Sequence, residues 1–273
     1  MKRFLRLISM IVAAITVSVS VSACNRSIIG YIINGSDGQS TSIDAAKMTN
    51  DITTDKIHAL FTVVATNSKI SGWGRIGGSA RAQGSGVAFY KTERSRGGYY
   101  VFLLTNCHVA ATQEGYNSVS YSVTDYAGNK YTAHLFKNTQ KEVSAISADY
   151  DLACLYFETT VDYTCLEIAD EDPVKNQTVV ALGAPENQSN AITFGKVCDY
   201  IKTEVQADKS LSNVTFDVIY HDAYIDNGSS GGPLIDANYR IVGINYGGSE
   251  DNTVSLAVPA TKITEFLKEY VYD

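Results

Sequence analysis

Three short stretches carry the residue types of nucleophilic chemistry. The first is Gly228-Ser229-Ser230-Gly231-Gly232-Pro233, with three glycines and two serines in six positions. Such a run is poor material for a helix or strand interior. It suits a tight turn whose backbone amides point outward, beside a serine nucleophile. Taken alone it reads equally as a surface turn. A serine hydroxyl also needs a base within hydrogen-bond reach. The chain has four histidines, His58, His108, His134 and His221. His108 ends the apolar run Leu103-Leu104-Thr105-Asn106-Cys107, so a buried strand delivers its imidazole and holds it in one orientation. His58 and His134 fall within strand-like runs and read as structural. A base in turn needs an acid to fix its tautomer. Asp151 leads directly into the apolar run Leu152-Ala153-Cys154-Leu155, whereas Asp149 reads as a solvated turn residue.

The elements that position these groups are mostly strands. The chain is 45% apolar and 19% charged, which places it among globular proteins. Eighteen tyrosines with many Val, Ile and Thr favour strands. Strand-like runs are Ile57–Thr66, 84–90, Tyr99–Thr105, Ser118–Thr124, Lys130–Phe136, Leu152–Phe157, Thr178–Leu182, Ala191–Ile201, Asn213–Ile219, Pro233–Ile235, Arg240–Asn245 and Thr253–Val258. Short strands spaced by turns predict an all-β sandwich or pair of barrels. Residues 69–83 are glycine-rich, hold the single tryptophan, Trp73, and read as a loop. After Pro259, apolar residues at Ile263, Phe266, Leu267, Tyr270 and Val271 follow one face of a closing helix.

The N-terminus reads as a targeting segment. Lys2, Arg3 and Arg6 precede an uncharged apolar run from Leu7 to Val21, and then comes Val21-Ser22-Ala23-Cys24. That ending resembles a bacterial lipobox. It implies cleavage before Cys24, lipidation of its thiol and an extracytoplasmic, membrane-anchored protein in a bacterial cell envelope; an ordinary secretory signal cut near Ala23 is the alternative. Residues 24–54 are polar and read as the lipidated tether. Removing residues 1–23 takes away three positive charges and no acid, so the net charge of −7 becomes −10. Such an acidic domain argues against nucleic acid as a partner. Cys107, Cys154, Cys165 and Cys198 remain, which permits two disulfides or four buried thiols. Adjacent side chains on a strand face opposite ways, so Cys107-His108 is not read as a metal site, and no metal or cofactor is expected.

The order His108, Asp151, Ser230 now gathers the motifs together. They are GSGVAFY at 84–90, LTNCHV at 104–109, DLACL at 151–155, VVALGAP at 179–185, HDAYIDNGSSGGPLID at 221–236, IVGIN at 241–245 and SLAVP at 255–259. In this order they resemble the chymotrypsin-like serine proteases, and most closely the HtrA-type protease domain, over roughly residues 55–270. The resemblance implies two six-stranded antiparallel β-barrels, residues 55–165 and 166–259, with a C-terminal α-helix over 260–273. It implies a serine endopeptidase acting on proteins or peptides, with Ser230 rather than Ser229 as nucleophile, His108 as base and Asp151 as orienting acid. The backbone of Gly228, Ser229 and Ser230 then forms the oxyanion hole, chiefly through the amides of Gly228 and Ser230. Tyr224 and Ile225 fall along one wall of the primary pocket and Val254 on the far wall. Asn245, Tyr246 and Gly247 form the edge to which substrate adds as a strand. No acid stands where trypsin-like enzymes select Lys or Arg, so small or medium apolar residues are expected before the scissile bond.

The sequence also departs from the family. Ser229 replaces both the acid that pairs with a freed N-terminus in trypsin-like zymogens and the Asn common in HtrA proteases. No Ile-Val-Gly-Gly-type start and no PDZ segment are found in the 273 residues. A second reading is therefore a peptide-binding lipoprotein with a protease fold that captures peptides without cutting them.

Overall fold

A computed structural model describes residues 44–184, 191–203, 211–248 and 254–272. The leader and Cys24 lie outside these residues. In chain order the described elements are helix α1 (Ala45–Thr54), strands β1 (Leu60–Ile70), β2 (Ile76–Glu93) and β3 (Tyr99–Thr105), the one-turn helix α2 (Cys107–Ala110), and strands β4 (Ser118–Thr124), β5 (Lys130–Leu135) and β6 (Leu152–Thr159). Strands β7 (Thr178–Gly183), β8 (Ala191–Ile201), β9 (Val218–His221), β10 (Pro233–Ile235), β11 (Ile241–Gly248) and β12 (Ser255–Pro259) follow, then helix α3 (Ala260–Tyr270). Two-residue strand pieces lie between β5 and β6.

Both sheets close on themselves. The first runs β3-β2-β1-β4-β5-β6 and is sealed by β3–β6 pairing, with Leu103 opposite Leu155. The second runs β7-β8-β9-β12-β11-β10 and is sealed by β7–β10 pairing. All pairings within the two barrels are antiparallel. Closure leaves few free strand edges and buries the inward alternate positions. Phe61, Leu103, Leu155 and Phe157 are fully buried in the first barrel, and Phe61 meets Phe157 edge-on at 5.2 Å. Val179, Leu234 and Ala257 are fully buried in the second.

Two connections hold the barrels in register. The linker between them is hydrogen-bonded to both: Leu166 N–H donates to Ala88 O (2.9 Å) and Ala169 N–H donates to Ile241 O (2.9 Å). Helix α3 buries Ile263, Phe266 and Leu267, the face predicted from their spacing. It also reaches back to the first barrel, where the Tyr150 ring lies 5.9 Å from that of Phe266.

Several sequence expectations change. Residues 45–54 are not tether but helix α1. Asp44 caps it by accepting from Lys47 N–H, and Met48 and Ile52, four residues apart, are buried. Residues 69–83 are largely strand: Lys69 and Ile70 end β1, and β2 starts at Ile76, leaving a short turn around Trp73. The glycines there mislead because ladder hydrogen bonds need no side chain. Residues 213–217 are not strand, since Asn213 N–H donates to Ala148 O of the first barrel instead of joining a ladder. His58 sits in a 3-10 turn, stacked on Tyr126 at 4.1 Å. All four described cysteines are free thiols.

Candidate active site

His108 is not on the strand itself. β3 stops at Thr105, Asn106 precedes the next turn without a side-chain cap bond, and His108 rides on α2. The apolar run therefore sets the base of the platform, and one helical turn aims the imidazole. The argument from strand alternation at Cys107-His108 fails for the same reason. Tyr121 OH donates to Ala110 O (2.9 Å) and pins the end of that turn.

Asp151 stands immediately before β6 in the left-handed region, with φ 48°, a conformation Asp tolerates better than most residues. It is fully buried. Asn106 Nδ2 donates to its carbonyl at 2.8 Å, which holds the strained residue in place. Its carboxylate accepts from His108 N–H (3.0 Å) and lies 2.8 Å (Oδ2) and 3.1 Å (Oδ1) from His108 Nδ1. This contact assigns the proton to Nδ1 and leaves Nε2 as the basic nitrogen. Asp149 is exposed and accepts from Asn213 Nδ2 at 2.6 Å, away from the ring.

The serine loop comes from the second barrel, between β9 and β10, and is bonded on every side. Ser229 N–H donates to Asp226 O (2.9 Å), and Asp226 N–H donates back to Ser229 Oγ (3.2 Å). Ser229 is buried, so its hydroxyl tightens the turn from within. Gly231 N–H donates to Asn245 O (2.8 Å), and Asn245 N–H to Gly232 O (2.9 Å). Gly228 and Gly231 have φ of 91° and 87°, which favours glycine. At Gly231 a Cβ would also lie 2.1 Å from Ser85 O. Among the described residues, neither Gly228 N–H nor Ser230 N–H donates to a protein acceptor. Backbone amides left open at a glycine turn can donate to an anionic oxygen.

The Gly84-Ser85-Gly86 stretch of β2 joins the halves. Ser85 N–H donates to Ser230 O (2.7 Å), and Ser85 Oγ donates to Gly228 O (2.6 Å) while accepting from Ala184 N–H (2.8 Å). A Cβ on Gly84 would lie 2.7 Å from both Ser230 O and a Val109 methyl. Ser230 therefore packs on the same strand as the residue after His108. Ser230 Oγ is not hydrogen-bonded to the His108 ring, whose bonds among the described residues go to Asp151. Substrate-free catalytic contacts of this kind often tighten only in the complex.

The remaining predicted positions divide. Tyr224 is exposed, with Thr193 Oγ1 donating to its carbonyl (2.6 Å), and Ile225 is half-buried. Gly247 is half-exposed near the end of β11, beyond the β10–β11 pairing, which stops at Ile244. Asn245 and Tyr246 are buried, as is Val254. Asn245 braces the underside of the serine loop through its main chain, and its side chain is not on an open wall. Burial pushes the Tyr246 phenol up in pKa and keeps it neutral. Ser85, Thr105 and Asn106 were not singled out by the sequence. Gly84-Ser85-Gly86 stood only as part of a motif, and nothing local indicated where the Ser85 hydroxyl points.

The trypsin-like peptidase domain family matches residues 84–244, a span that contains Ser85, His108, Asp151 and Ser230. The chain belongs to the trypsin-like peptidase family. Among curated relatives, mouse serine protease HTRA4 is 29% identical over 171 residues, covering 62% of this chain and 32% of the relative. The serine protease Do-like HtrA of Bacillus subtilis is 31% identical over 194 residues, covering 68% and 38%. The chain thus spans about a third of the length of the curated relatives it matches. Among solved structures, the active form of the Rv3671c protease from M. tuberculosis superposes with a TM-score of 0.59 at 20% identity, covering 90% of this chain and 96% of that one. At that identity the likeness speaks for the fold.

Proposed function

We propose that the chain is a serine endopeptidase that cleaves proteins or peptides through Ser230, His108 and Asp151. The observation that carries this is the buried Asp151 carboxylate on His108 Nδ1, beside a serine loop with two open amides. Ser230 Oγ attacks the peptide carbonyl as His108 Nε2 takes its proton. Asp151 steadies the imidazolium that forms. The Gly228 and Ser230 amides stabilise the oxyanion. The imidazolium then protonates the leaving amine, and an acyl-enzyme remains. His108 next activates a water that releases the acid and restores the serine.

Substrate joins the free edge of β11 near Gly247, and the residue before the scissile bond sits against Tyr224 and Ile225. Small or medium apolar residues suit that wall. A peptide library profile dominated by Lys, Arg or Glu at that position would overturn this specificity. The Val21-Ser22-Ala23-Cys24 ending supports lipidation at Cys24 and an envelope location. Detergent partitioning unchanged in Cys24→Ala would sink the lipid anchor.

The activity is tested by labelling with a fluorophosphonate probe. Labelling of the wild type and none of Ser230→Ala is expected. A folded wild type that fails to label and turns over no peptide would overturn the proposal.

A further inference from the structure

The β1–β2 hairpin ends in an apolar tip that none of the described residues covers. Trp73, at the turn, is 93% exposed; Ile76 is 68% and Ile70 37% exposed. Ile70 and Ile76 are cross-strand partners and so share a face. Large apolar side chains gathered at an exposed end mark an interaction surface. The tip is also held in place. β4 stops pairing with β1 at Ser68, but the Asn117 side chain then brackets the Ile70 main chain, accepting from its N–H (2.7 Å) and donating to its carbonyl (2.8 Å).

The charge around the tip is opposite to that of the chain. Net charge is −7, yet no acid occurs between Asp55 and Glu93. Lys69, Arg75 and Arg81 are all exposed, and none has an ion-pair partner among the described residues. An indole at the end, flanked by isoleucines with Lys69 and Arg75 beside them and Arg81 farther along β2, has the chemistry of an anionic bilayer interface.

We propose that this hairpin tip docks into the headgroup region of an anionic membrane. A second copy of the chain is a poorer occupant. A stable protein interface buries about 800 Å² per partner, whereas three side chains on a narrow turn offer about half of that. Insertion into lipid needs no complementary surface. The twenty residues from Cys24 to Ile43 would span up to about 70 Å if extended, enough for an N-terminally anchored domain to lay this tip on the same membrane. Gly84, which packs on the serine loop, lies eight residues along β2 from Ile76, roughly 26 Å. Docking would hold the cleft near the bilayer, within reach of membrane-proximal segments of substrates.

Trp73 is the only tryptophan, so its fluorescence reports the tip directly and needs no catalytic activity. The full chain is placed in vesicles of phosphatidylcholine alone and in vesicles that also contain phosphatidylglycerol. In the anionic vesicles, emission is expected to shift to the blue, become quenchable by brominated acyl chains and return toward the aqueous value in high salt. Replacing Lys69, Arg75 and Arg81 by Gln, one at a time, is expected to lower the ratio of inserted to free tip about fivefold per cation. Emission that stays aqueous and iodide-quenchable in both vesicle types would overturn the proposal. So would a blue shift without vesicles that grows with protein concentration, which would assign the tip to self-association.

Discussion

Ser85 Oγ donates to the carbonyl of Gly228 at 2.6 Å, so a strand of the first barrel fixes the serine loop of the second. The same hydroxyl accepts from Ala184 N–H, and the Ser85 amide holds the Ser230 carbonyl. One fully buried residue thus holds the carbonyls of both Gly228 and Ser230. Ser85→Ala would leave the Ala184 N–H and Gly228 carbonyl without these partners, a cost of about 1–3 kcal/mol. Turnover is expected to fall about ten- to hundredfold, chiefly in kcat, because the misplaced amides act in the transition state. Peptide hydrolysis and urea unfolding measure the two effects; a rise in KM alone would contradict this role.

Asp151 separates orientation from charge. Asn tolerates the left-handed backbone at this position, so Asp151→Asn should fold and unfold nearly like the wild type. Its kcat should nevertheless fall by about 10⁴, since an amide does not hold His108 in the required tautomer. Asp151→Ala should lose the same activity and also stability, because the backbone strain then stands without the carboxylate bonds to His108. Kinetics and thermal melts on the pair distinguish the contributions.

Ser229 answers how the loop keeps its shape without the acid or Asn that the family resemblance implies. Its small hydroxyl takes the Asp226 N–H, and it packs against β7, where a Cβ on Gly183 would fall 2.8 Å from Ser229 Oγ. Ser229→Ala should reduce kcat/KM by about tenfold or less, the worth of one neutral hydrogen bond. Ser229→Asp should lose far more, because it buries an unpaired charge next to Asp226. Active-site titration with a covalent probe would show this as a slower labelling rate. An Asp variant faster than wild type would refute the assignment.

His221, at the end of β9, supplies a pH dependence of stability. It is fully buried, and burial pushes its pKa down to about 4, with Asn245 and the Ala223 main chain countering part of that effect. Its ordinary value is 6.5. Between these values the unfolded chain binds a proton that the folded chain does not, so stability present above pH 6.5 is lost as pH falls toward 4. The full shift is worth about 3 kcal/mol. Urea midpoints across this window should fall with pH in the wild type and fall less steeply in His221→Gln.

The sequence by itself determined the residue types, their order and most of the strands. Those signals are local: the continuous apolar run of Tyr99–Thr105, the two-residue alternation of Ser118–Thr124, glycine and proline punctuation in 228–233, and the helical face of Ile263, Phe266 and Leu267. Their joint order also carried the family resemblance. Tertiary structure alone decided which groups meet. Asp151 lies on His108 across 43 positions of sequence, and Ser85 bonds Gly228 across 143. No periodicity encodes such contacts, because closing each barrel and packing one on the other sets them. Helix α1 and the arm around Trp73 escaped local reading for related reasons. Two apolar residues in a polar run become a buried face only when a partner surface exists, and glycine-rich segments become strand only when a neighbouring strand supplies the hydrogen bonds. The serine loop illustrates the division. Its spelling allowed a loose surface turn or a braced one, and the strand that bonds Ser230 and Gly228 makes it a braced turn between the barrels.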